Sequence, residues 1–158
     1  MPIGYLIART YADAAHYDLM LDGLFIIMGV WGWLRESADE GIGGEEFISA
    51  SIGIGGAVLA KYFDSSRERV AVAMVLSAAG AAAWTYTVYA DLVWMSSVRT
   101  RIANGEVTVD WQYWPAQWIS LLILVVIACN HAVLAMFCRR RIRSSSIPTR
   151  GGEYDDIL

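Results

Sequence analysis

The side chains best suited to chemistry in this 158-residue chain lie where charge is expensive. Asp18 and Asp22 stand at i and i+4, so a helix presents both carboxylates on one face. Asn130 and His131 fall inside residues 111–138, a run with no formal charge that ends at Arg139-Arg140-Arg141. Such a run is long enough to cross a hydrocarbon core, for which about 18 apolar residues suffice. Asn130 and His131 lie roughly 12 Å from the inner surface marked by Arg139, and Asp22 roughly 13 Å below the outer level marked by Trp31. These depths let Asp22 and His131 meet near a bilayer midplane, with Asp18 and Asn130 alongside. A buried acid is costly unless it is neutral or paired, so each group calls for a partner. The leading use of the pair is a structural hydrogen bond that pins helices together. A step in a proton or cation path is the sharper alternative, and the remainder is unpaired snorkelling or a site completed by another protein.

Other chemistry finds less support. His16 and His131 both fall in the inner half, so a bis-histidine haem between facing helices is geometrically conceivable, but no cofactor is expected. The acids Glu36, Asp39, Glu40 and Glu45 lack the spacing of a calcium loop, and no metal site is expected. No nucleophile elbow, zinc helix or Walker motif occurs, and Gly53-Ile54-Gly55-Gly56 sits inside an apolar run with no phosphate to meet. The chain is therefore read as a non-enzyme without catalytic residues. Cys129 and Cys138 suit neither a disulfide nor a redox pair; Cys138, beside the arginines, could be acylated in a eukaryote.

Composition places these residues in a membrane. Hydrophobic residues make up 56% of the chain and charged residues 18%, with a mean hydropathy of +0.42. A soluble protein this small could not cover so much apolar surface. The net charge of −4 argues against nucleic acid as a partner, and Arg139–Arg143 reads first as a topology signal directly after a span. Recognition of a specific lipid is its minor alternative.

The elements that must position the polar residues are four apolar segments, at about 14–34, 46–63, 70–92 and 115–137. The second is short and spans only if Glu46 and Lys61 snorkel to opposite surfaces. With four spans and both termini inside, Arg9, Lys61, Arg67, Arg69, Arg139, Arg140, Arg141, Arg143 and Arg150 are cytoplasmic. Only Arg35, Arg99 and Arg101 lie outside, as the positive-inside rule asks. The fold class is thus an all-α four-helix transmembrane bundle over residues 14–143. Residues 1–13 are expected to form an interfacial or extended helix and residues 144–158 a polar tail.

Further features are expected at the outer side. Trp31, Trp33, Trp84, Trp94, Trp111, Trp114 and Trp118 all fall towards outer span ends, either as a lipid-anchoring belt or as a surface for a partner, pigment or quinone. Residues 96–110, with Asn104-Gly105 and an alternating stretch after it, suggest a short hairpin or extended piece on the membrane surface. Ser49 with Gly53, Ser51 with Gly55, and Gly80 among alanines form small faces for close helix packing, within the bundle or against another subunit.

The function these features favour is a non-catalytic accessory or structural subunit of a larger membrane assembly, in a respiratory, photosynthetic or virion membrane. The alternative is a homo-oligomeric pore or proton conductor, including a phage-type holin. Expected partners are the lipid bilayer, other membrane subunits and further copies of the chain. The expected location is a bacterial inner membrane or one derived from it, with a virion or organelle membrane also compatible.

Overall fold

A computed structural model describes residues 10–34 and 44–144. The expected N-terminal segment before residue 10, residues 35–43 of the acidic loop expected over 35–45, and the tail after Ser144 lie outside the described residues, while Gly44 and Glu45 open α2. The rest is helical: α1 (Tyr11–Leu34), α2 (Gly44–Tyr62), α3 (Arg67–Ala103) and α4 (Tyr113–Ser144). Two of these, α3 and α4, are long and apolar enough to cross a membrane.

Local chemistry sets the helix ends. Thr10 Oγ1 accepts the Asp13 N–H at 3.1 Å, which caps α1. Ser66 caps α3 in an extended conformation and accepts the Arg69 N–H at 3.3 Å. Pro115 lies in the first turn of α4, where a missing N–H costs no intrahelical bond.

The far end of α3 corrects an expectation. The hairpin or extended piece expected over 96–110 does not form: α3 continues to Ala103, and no strand forms among the described residues that follow. The reason is packing: buried positions recur every three or four residues from Val70 through Ala73, Ser77, Gly80 and Trp84 to Thr87, and the same side is buried again at Met95 and Val98. That seam carries α3 past the apolar stretch. Asn104-Gly105 is then a helix cap rather than a hairpin turn. Gly105 has φ +74, its N–H donates to Ile102 O at 3.0 Å, and Glu106 N–H donates to Arg101 O at 2.9 Å. This is the Schellman arrangement, which favours glycine at its left-handed position.

The helices pack in chain order as a ring, α1 against α2 and α4, and α3 against α2 and α4. Cross-links show that neighbours run antiparallel. Tyr11 at the start of α1 donates to Ala60 O near the end of α2 (2.8 Å), and Asp64 after α2 meets Arg141 near the end of α4 (2.9 Å). The core has two apolar zones. One, towards the start of α1 and the end of α4, gathers Ala14, Ala57, Ala60, Val70, Ala73 and Leu134. The other gathers Ala50, Trp84, Leu124 and Ile127. Asp18, Asp22 and His131 fall between these zones along their helices, and the buried Ser49–Thr87 hydroxyl pair (3.1 Å) lies beside the second.

Candidate functional site

Each helix contributes to the polar centre. Asp18 and Asp22 come from α1, Gly53 from α2, Gly80 and Trp84 from α3, and His131 from α4. All three titratable groups are fully buried. The imidazole stands between the two acids: Nδ1 is 3.1 Å from Asp18 Oδ2, and Nε2 is 3.0 Å from Asp22 Oδ2. The ring N–H directions are off line for hydrogen bonds, so these contacts are ionic when the ring is protonated. The second oxygen of Asp22 accepts the Trp84 indole N–H at 3.1 Å. Asp18 Oδ1 is buried without a hydrogen-bond partner.

Two glycines make the seat for the ring. A Cβ on Gly53 would overlap the Asp22 carboxylate and come within 2.6 Å of His131 Nε2. A Cβ on Gly80 would lie 3.1 Å from Gly53 Cα and 3.4 Å from His131 Nδ1. The small-residue faces of α2 and α3 therefore do more than bring two backbones together, because they leave the volume that the imidazole fills. Sequence reasoning places Gly53 and Gly80 on packing faces but does not connect them with His131. The available signal was their position, in mid-helix at the depth of the acid and the histidine.

Trp84 corrects another expectation. It does not join the outer tryptophans but is 0% exposed, with Phe25 edge-on at 5.0 Å. Asp22 explains the placement, since a buried carboxylate needs a donor and an indole supplies one within an apolar body. Trp94, Trp111 and Trp118 are exposed, and Trp114 packs edge-on to Tyr113 at 5.2 Å. The side chains of Trp31 and Trp33 lie outside the described residues.

Asn130 is buried but lines a different feature. With Tyr17, Met20 and Leu21 it borders an apolar groove of about 340 Å³ between α1 and α4. His16 is exposed and accepts from Lys61 Nζ at 3.0 Å, so it does not face His131. Both nitrogens of His131 face carboxylates. The pair of histidines thus lacks the facing arrangement a bis-histidine haem requires. No group of three or more His, Cys, Asp or Glu placed to hold a metal ion occurs among the described residues.

No family model, curated protein or solved structure matches the chain. The chemistry must therefore be read from the site itself. An imidazole held between two carboxylates can share protons among three groups and can fasten α1 to α4. Being enclosed, it offers no face to a substrate.

Proposed function

We propose that the protein crosses a membrane four times, with both termini on the cytoplasmic side, and serves as a non-catalytic subunit of a larger membrane assembly. The distribution of polarity supports four spans. Asp18, Asp22, Asn130 and His131 point inward, while Leu24, Ile27, Ile48, Val75, Leu122 and Ile123 point outward. The charges that make α1 look unsuited to lipid are thus turned away from it. Helix α2, at about 28 Å, nearly matches a hydrocarbon core of about 30 Å. A bacterial inner membrane, or one derived from it, fits the arginine distribution.

The observation that carries the subunit reading is the sealed centre. A conductor needs its titratable groups to reach water, whereas Asp18, Asp22 and His131 are all 0% exposed and stand in charge contact with one another. They act as a clasp. The contact surface for partners is the outer end, where α3 and α4 outreach their neighbours. From the level of the site α3 rises about 34 Å to Ala103, while α2 rises only about 13 Å to Gly44. The overhang carries exposed Trp94, Trp111 and Trp118, an aromatic composition typical of interface anchors.

Gradient sedimentation with mass spectrometry after gentle solubilisation tests this reading. A stable complex containing different chains is expected. A pure homo-oligomer would overturn it in favour of a pore.

A further inference from the structure

The inner end of the molecule holds a pocket that the polar centre does not use. It is a cavity of about 320 Å³ walled by Asp64, Ser65 and Ser66 of the α2–α3 turn, by Arg67 and Val70 of α3, and by Arg141 of α4. The Asp64 carboxylate is 2.9 Å from Arg141 Nη2, so its charge is answered within the wall. Arg141 is held in place from the other side, its guanidinium 5.0 Å from the centre of the Tyr11 ring. Arg67 is exposed, and its guanidinium meets no carboxylate among the described residues. With one acid and two arginines, the wall carries a net positive charge.

Further donors face the same region. Ser66 Oγ takes the Arg69 N–H, and the first intrahelical bond is Val70 N–H to Ser66 O at 3.1 Å. The N–H of Arg67, a residue of the cavity wall, precedes that bond and has no intrahelical acceptor. The Ser65 hydroxyl accepts from Arg69 Nη1 at 3.4 Å and keeps its own proton to donate. The acid of this turn, Glu68, does not line the cavity. Immediately before the pocket, Tyr62 and Phe63 are 61% and 46% exposed, a pairing of aromatic surface with cations suited to the boundary between acyl chains and headgroups.

We propose that this pocket binds the phosphate of an anionic phospholipid headgroup in the inner leaflet. A phosphate supplies acceptor oxygens for the planar fork of Arg67, for the Ser65 hydroxyl and for the Arg67 N–H at the start of α3. Basic pockets between helices on the cytoplasmic side of a membrane are a recurring setting for such headgroups. The inference rests on the membrane reading above, because a lipid reaches the pocket only when the α2–α3 turn lies at the inner leaflet.

The test uses the full chain, purified in detergent and mixed with phosphatidylglycerol or phosphatidylcholine before native mass spectrometry. Phosphatidylglycerol is retained in preference. Arg67→Gln lowers its retention about 5-fold, the loss of one cation near a membrane surface. Ser65→Ala lowers it by a smaller factor, and Arg101→Gln at the opposite end leaves it unchanged. Equal retention of the two lipids, or full retention by Arg67→Gln, overturns the proposal. Complete displacement of the lipid by excess inorganic phosphate also overturns it, assigning the pocket to a soluble anion. Alkaline carbonate extraction separates the two inferences. A chain released from membranes sinks the membrane reading itself, whereas a resistant chain without lipid preference sinks only the pocket.

Discussion

At the residue scale the centre depends as much on two missing methyl groups as on its charged side chains. Gly53 and Gly23 are both helical glycines, but their surroundings are opposite. Gly53→Ala drives a methyl into the imidazole and the Asp22 carboxylate, an overpacked core change that costs about 1–3 kcal/mol. Gly23 has nothing within 4 Å of a built Cβ, so Gly23→Ala gains about 0.5–1 kcal/mol from helix propensity alone. Thermal unfolding of the two variants in detergent checks this, and equal transitions would show that the seat for His131 is not tight. Trp84→Phe keeps the aromatic bulk but leaves Asp22 Oδ1 without its donor, costing about 1–3 kcal/mol by the same measurement. Part of this site could be read from spacing and depth: the estimates that put Asp22 and His131 at one level agree with side chains 3.0 Å apart. The role of Trp84 could not. Tryptophan near a span end is usually interfacial, and only the presence of a carboxylate across the core turns this one inward.

At the element scale the informative case is α3. Hydropathy marks where a helix is apolar, not where it ends, and the apolar segment read to about residue 92 says nothing of the helix beyond it. The seam continues through Met95 and Val98, which are buried though their neighbours Arg99 and Arg101 are charged. Here packing against α4 outweighs the local polarity. The stop is set by backbone chemistry at Gly105, so Gly105→Ala, forced into a left-handed conformation, costs about 1–2 kcal/mol locally. Hydrogen exchange at the amides of residues 99–103 checks this: faster exchange there, with the middle of α3 unchanged, is the expected outcome. The short helix α2 makes the complementary case. Its glycines and serines are poor material for an isolated helix, and it persists because Ala50, Ala57 and Ala60 are buried against neighbours.

At the scale of the whole molecule, Asp18, Asp22 and His131 lie inside while many branched aliphatic residues lie outside. On the proposed topology the α3–α4 connection is external and Ser144 is internal. In a chain carrying Cys129→Ala, a membrane-impermeant thiol reagent applied to intact cells labels Asn104→Cys and spares Ser144→Cys. The reverse pattern would invert the topology, and labelling of both would break it.

The clasp also sets an order of events during synthesis. Its two acids belong to the first helix and its imidazole to the last. At ribosomal rates of about 5–20 residues per second, Asp18 and Asp22 wait roughly 5–20 s for His131 to be made. On the four-span proposal, α1 holds two carboxyl groups in or near lipid through that interval, with only Trp84, from α3, arriving earlier. On the same proposal biogenesis is completed from the C-terminal side: a nascent chain cut short before α4 has a first helix that is poorly retained in the bilayer and is open to quality-control proteolysis.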